Sequence, residues 1–407
     1  MNTSQQVNIL SPQFKANPFP LLAHLRMEQP VRRVTLPDKT PVWLVTRYED
    51  VKSLLTDERF AKSRYNALTP EQLRKQPWVP PMFRPLERTM IDLDPPDHTR
   101  LRQLVHQAFT PRLIERMRER VQTLANELLD AVSRKGEVDL IRDYALPLPM
   151  TIITEILGVP IQDRDKFHRW SKVIVSVNQF NADWRVFPAI WKFIRYLRRF
   201  FKVRRDDLRD DLVSALIQGE EIGDRLSEDE LLAMVFLLLV AGHETTVNLI
   251  GSGMLELLQH PDQMERLRRD PSLIKSAVEE LLRYTAPVFM STERYAREEV
   301  TIHGVTIPRG EMALGVIGSA NRDETVFDNP DTLDVAREPN KHLSFGHGIH
   351  YCLGAALARL EAQIAINTLL ERMPDLRLKG SPESLRWRRS LILRGLEALP
   401  LTFLGFR

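Results

Sequence analysis

From Leu226 to Pro261 the chain reads LSEDELLAMVFLLLVAGHETTVNLIGSGMLELLQHP, with no proline before the last position. Ser227 with Glu230 is a capping box that marks a helix start. At 1.5 Å per residue, the roughly 33 residues that follow make a helix about 50 Å long. Its middle is apolar on nearly every side, so it is predicted to run through the core and cross the molecule. The longest strongly apolar run, Leu231 to Gly242, is about a dozen residues, short of the roughly 17 to 25 that a membrane-spanning helix needs.

The 407 residues are 43% hydrophobic and 27% charged, the balance of a globular protein with a large core. Length alone suggests two or three domains. The opening MNTSQQVNILSPQFKANPF has neither the basic nor the apolar region of a signal peptide. A net charge of +3, with scattered arginines, gives no footprint for nucleic acid. One cysteine cannot close an intramolecular disulfide, so the reducing cytoplasm is the expected compartment and no membrane anchor is expected.

Arg32 to Arg47 is predicted as two short strands around the PDKTP turn, followed by a helix in YEDVKSLLTD. Tyr65 to Pro96 holds seven prolines, Pro77 among them, and is predicted as a long binding loop or lid. Asp97 to about Gln218 is helix-periodic. A helix is predicted at Pro271 to Tyr284, then strands and turns through EEVTIHGVTIPRGEMALGVIGSANRD, then an amphipathic helix in LGAALARLEAQIAINTLLERM. The tail LRWRRSLILRGLEALPLTF is predicted as a last strand pair.

The lone Cys352 lies in FGHGIHYCLG, behind Gly346 and Gly348 and just ahead of Gly354 and a predicted helix. Glycines permit tight turns and close approach, and a helix N-terminus favours thiolate over thiol. Three readings stay open on these residues: a small buried hydrophobe in a turn, a zinc site with His347 and His350, or a proximal thiolate on haem iron. In the long helix, AGHETT sets Gly242, Glu244 and Thr245 within an apolar run, where a charge is costly without a task or a partner. The bland alternative bonds the Thr245 hydroxyl to the Ala241 carbonyl and pairs Glu244 with an arginine. Glu280 and Arg283 of EELLRY share a helix face, and so do His98 and Arg102 of DPPDHTRLRQLV; surface pairs and solvated faces look the same in sequence.

FGHGIHYCLG resembles the haem-binding loop of the cytochrome P-450 family at every fixed position of Phe-Gly-x-Gly-x-His/Arg-x-Cys-x-Gly. AGHETT resembles its oxygen-activating motif, with Glu in place of the commoner Asp. EELLRY, with Arg337 of DVAREPNKHLSFG, resembles its Glu-x-x-Arg and third member. The motifs fall in family order over nearly the whole chain.

The resemblance implies a mainly α fold with small β-sheets, a single catalytic domain over residues 1–407, and the long helix over haem b. It implies Cys352 as iron ligand within a loop that includes Phe345, Gly346 and Gly354, and Ala241 against the cofactor. His98, Arg102, Arg294 and His350 become propionate partners. Gly242 lets the helix and dioxygen approach the iron, Thr245 steadies bound oxygen, and Glu244 serves a proton relay. Glu280, Arg283 and Arg337 become a structural lock. Leu237, Val240 and Ala241, with Val288, Met290 and Thr292, become the pocket of a hydrophobic small-molecule substrate.

The activity implied is a monooxygenase taking NAD(P)H-derived electrons from a ferredoxin or flavodoxin, docked on Arg100, His106, Arg112 and Arg116, with the enzyme a monomer. A peroxide-driven peroxygenase and a haem-binding sensor are the rivals. The segment FNADWRVFPAIWKFIRYLRRFFKVRR lies where the family has its mobile entrance helices; its interleaved aromatics and arginines would admit an acid-headed amphiphile, or form a surface helix pair with one face packed or brushing a membrane.

Overall fold

The computed structural model describes residues 8–76, 79–175, 187–218 and 226–406. In chain order these form α1 (Pro12–Ala16), α2 (Phe19–Glu28), β1 (Val31–Thr35), β2 (Pro41–Val45), α3 (Tyr48–Leu54), β3 (Phe60–Ala61), α4 (Pro70–Arg74), α5 (Asp97–Ala108), α6 (Pro111–Arg116), α7 (Arg118–Asp130) and β4 (Glu137–Asp139). Then come α8 (Pro147–Ile156), α9 (Ile161–Val175), α10 (Phe187–Asp206), α11 (Leu212–Gln218), α12 (Glu228–Gln259), α13 (Pro261–Arg269) and α14 (Ile274–Thr285). The chain closes with β5 (Arg294–Ala296), β6 (Val300–Ile302), β7 (Val305–Ile307), β8 (Met312–Gly315), α15 (Ile317–Ala320), α16 (Ala355–Arg372), β9 (Arg377–Leu378) and β10 (Pro400–Thr402).

The packing divides into two units. The first takes Met1–Lys75, Gln122–Leu146 and Thr245–Arg407; the second takes Gln76–Val121 and Pro147–Glu244. Every strand among the described residues belongs to the first unit. Its largest sheet has the order β1-β2-β8-β5-β3, in which β8 is parallel to β2 and the other pairs are antiparallel. Trp43, Val45, Tyr48, Val51, Ala313 and Ile317 bury one face of it, because the strand residues of one parity meet the apolar side of α3.

α12 begins at the capping box: the Ser227 hydroxyl accepts from the Glu230 amide at 3.2 Å, and a Glu230 carboxylate oxygen accepts from the Ser227 amide at 2.8 Å. It is the one helix among the described residues long and apolar enough to cross a membrane, and most of its apolar window is buried within the protein.

Two sequence expectations change. The proline-rich segment is not an irregular loop: short helical segments occupy Arg64–Asn66, Pro70–Arg74, Pro81–Glu87 and Met90–Asp92. Proline has no amide hydrogen to lose in a first turn, so it starts such turns readily; Pro77 lies outside the described residues. The tail pairs with itself only at a Trp387↔Leu396 bridge. β10 instead pairs with β4 and β9, strands too short to stand out in the sequence.

Candidate active site

Tight turns fix the cysteine loop from both ends. Gly346 and Gly348 hold φ of 74° and 71°, a region that side chains bearing a Cβ rarely adopt. The Cys352 amide donates to the Phe345 carbonyl at 2.9 Å, closing the loop on itself. Gly354 differs: its φ is −85° and a Cβ there would meet nothing within 4 Å, so neither backbone nor protein neighbours demand glycine. Cys352 is half-buried and lies three residues before the start of α16.

Helix α14 carries the two carboxylates that anchor this loop. Glu280 and Arg283 are fully buried one helical turn apart, joined by Nε to Oε2 at 2.7 Å and Nη2 to Oε1 at 2.8 Å. The Arg337 Nε donates to both Glu280 oxygens at 3.1 Å, and the Asp334 amide and Asn340 side chain add bonds at 3.0 Å. The remaining guanidinium hydrogens of Arg283 meet the carbonyls of Asn321, Pro330 and Thr332. A desolvated charge set holds only when so completely bonded.

Beside it, Glu279 accepts from Arg359 of α16 at 2.6 and 2.8 Å and contacts His342 Nε2 at 3.1 Å. Burial pushes the Glu279 carboxyl up, but those bonds override it and hold its pKa at about 2. The same Arg359 guanidinium lies 4.4 Å over the Phe345 ring, so one arginine ties α14, α16 and the cysteine loop together. Sequence reasoning missed this clamp; its only signal was an acid next to Glu280 and an arginine seven residues after the cysteine.

Along α12, Leu237, Val240, Ala241 and Thr245 retain exposed surface although His243, Glu244, Thr246 and Val247 beside them are buried. Leu237, Ala241 and Thr245 follow one another at offsets of four and Val240 lies beside Ala241, so the open positions share one helix face. The His243 ring nitrogen Nδ1 contacts the Leu239 carbonyl at 2.7 Å. A Cβ on Gly242 would stand 3.1 Å from Ile153 Cγ1 of α8, a tight contact that the Ile153 side chain would have to yield to, so helix packing also favours glycine here.

Arg294 is buried at the start of β5, and His350 is half-buried in the single turn Gly348–His350. In the second unit, His98 is buried in the first turn of α5, and Arg102 follows one turn later, half-buried. Zinc does not fit: among the described residues no group of three His, Cys, Asp or Glu side chains is placed to hold a metal ion. The first unit's residues suit a haem, which would need one thiolate, a cation near its propionates and an unobstructed approach past Gly354.

The family model for cytochrome P450 matches residues 8–374. The chain belongs to the cytochrome P450 family. It is 49% identical to cytochrome P450 107B1 of Saccharopolyspora erythraea over 92% of each chain. The solved polyketide synthase cytochrome P450 PksS of Bacillus subtilis superposes with a TM-score of 0.91 at 43% identity, covering 98% of this chain and 99% of that one. Myxobacterial cytochrome P450 CYP267B1, solved in complex with myristic acid, gives 0.90 at 42% identity, covering 97% and 98%. The fold is therefore that of a P450, and the protein is a P450 monooxygenase.

Of the P450's other sequence-predicted pocket residues, Val288 keeps some exposed surface and bridges to Leu393, while Thr292 accepts at 2.7 Å from Lys62. Met290 has no exposed surface, so the side chain at the middle of this strand-like run is packed inside the protein. The arginine cluster expected to greet a redox partner is half engaged. Arg100 pairs with Glu230 and Arg116 with Asp210, leaving His106 and Arg112 exposed.

Proposed function

We propose that this P450 hydroxylates or epoxidises an extended apolar substrate of the acyl or polyketide kind, as a cytoplasmic enzyme supplied with electrons by a ferredoxin. The observation that carries the reading is the open apolar stripe Leu237, Val240 and Ala241 leading to Thr245 on the long central helix. A chain-like apolar molecule buries most surface against such a stripe. The relatives point the same way: PksS is named for polyketide biosynthesis and CYP267B1 was solved with a fatty acid.

Haem b, held by the Cys352 thiolate, supplies the activation of dioxygen. Within this reading Arg294, His350, His98 and Arg102 neutralise the propionates. Thr245 donates a hydrogen bond toward the oxygen side, and Glu244 passes protons inward from solvent. The turns at Gly346 and Gly348 and the Cys352 amide bond to the Phe345 carbonyl fix the loop that would present the Cys352 sulfur, and Arg359 over Phe345 braces that loop against α14 and α16. Glu244 next to Thr245 favours reductive turnover over a peroxide-driven route, and the half-open arginine cluster leaves His106 and Arg112 for an acidic donor.

The test supplies NAD(P)H, a ferredoxin and its reductase, with fatty acids and macrolactones as substrates. Oxygenated products with NAD(P)H consumption are expected; equal turnover on peroxide alone would overturn the reductive reading. The reduced carbon-monoxide complex should show a strongly red-shifted Soret band that Cys352→Ser abolishes. Thr245→Ala should retain that band while diverting electrons to peroxide, and unchanged coupling would remove Thr245 from the relay.

A further inference from the structure

Helix α10 carries seven cations, Lys192, Arg195, Arg198, Arg199, Lys202, Arg204 and Arg205, against a single acid at its last residue, Asp206. Three of them have a structural task within the second unit. Arg204 is buried, paired with Asp211 at 2.7 Å and donating to the Gly158 carbonyl at 2.6 Å. Arg198 pairs with Asp229 at 3.1 Å and Arg205 with Glu228 at 3.7 Å, both at the acidic start of α12.

The other four, Lys192, Arg195, Arg199 and Lys202, are exposed and have no acidic partner among the described residues. Their offsets of three, four and three residues place them in one line along the helix, about 15 Å from first to last. Trp191, 43% exposed, stands beside the line with the Arg195 guanidinium 5.3 Å over its ring. Four like charges in a row repel one another, a cost that an oppositely charged surface removes.

We infer that this stripe is a docking surface for an acidic protein that presents a helix with carboxylates at matching offsets. A straight line of cations one helical turn apart complements the face of a second helix. A lipid bilayer fits less well, because an interfacial helix needs a free apolar face. The apolar face of α10 is already used: Phe193, Ile194, Leu197, Phe200 and Phe201 are buried, with Phe193 packed on Phe167 of α9 and on Phe236 of α12. The inference stands on charge and packing alone and does not depend on the substrate proposed above.

The experiment measures binding of a labelled helical peptide, with glutamates at offsets 0, 3, 7 and 10, to the haem-loaded full chain at low ionic strength. A peptide of the same composition in scrambled order is the control, and vesicles containing phosphatidylglycerol are a separate arm. The matched peptide should bind about tenfold or more tightly than the scrambled one, and lose that margin at about 0.5 M salt. The margin should vanish in K192E/R195E/R199E/K202E. The charge-neutral K192Q/R195Q/R199Q/K202Q provides the same comparison if the reversed variant melts early. Equal binding of the two peptides, an unchanged margin in either variant, or vesicle binding without peptide discrimination would each overturn the inference.

Discussion

Two glutamates in the first unit, Glu280 on α14 and Glu361 on α16, are both fully buried, and the chain treats them in opposite ways. Glu280 receives donors from Arg283, Arg337, Asn340 and the Asp334 backbone. Apart from the Thr246 hydroxyl, which falls short of full hydrogen-bond geometry, no donor among the described residues meets the Glu361 oxygens; Asn248 and Ser252 of α12 are also buried with unpartnered polar atoms. Burial pushes the Glu361 carboxyl well above the usual range, with Thr246 opposing only weakly. The first glutamate is built into a lock of donors; the second sits where burial favours its protonated form. Burial alone does not say what a carboxyl does, because its donors decide which form is buried.

The largest effect should come from breaking the lock. Glu280→Ala strands two arginines, and about 3 to 5 kcal/mol of stability should be lost on truncating such a pair. Thermal unfolding and soluble yield check this; a loss under about 1 kcal/mol would mean the network is ornamental.

Glu279→Gln should cost less, about 1 to 3 kcal/mol, the range for removing charged hydrogen-bond partners. Its pH signature sharpens the comparison. Glu279 titrates at about 2 in the folded chain against an ordinary 4.5, so its contribution is full above 4.5 and fades as pH falls toward 2. Denaturant titrations across that window should be flatter in the variant.

Glu361→Gln should have the smallest effect, within about 1 kcal/mol, since one neutral group replaces another of the same shape. The folded state binds a proton here that the unfolded chain releases above about 4.5, so this site's stabilisation declines as pH rises. The variant should lose that decline, the reverse of the Glu279 slope. A large destabilisation at neutral pH would mean that Glu361 is buried charged.

Much of this was legible in the chain. The capping box and the length of α12 depend on bonds within four residues, and the first hairpin on a turn between two short strands; local chemistry suffices for both. The Cys352 loop was legible because its glycines obey backbone rules at Gly346 and Gly348 that no fold can relax. Less legible were the pairings of Arg100 with Glu230 and Arg116 with Asp210, which engage half of an expected docking cluster with acidic partners. Gly242, read for what it lets approach, is also favoured by the close packing of Ile153 from another helix. Glu279 and Arg359 lie 80 residues apart, and nothing local announces them as partners.

What the sequence by itself determined is therefore the set of elements and the family pattern of motifs, since helix capping, turn geometry and residue spacing are short-range. What the tertiary structure alone decided is which charges are satisfied, which are silenced and which face water. Whether Glu280 is a lock, Glu361 a neutral acid, or Lys192 an open cation depends on the donors and solvent around each, and folding brings those from distant parts of the chain.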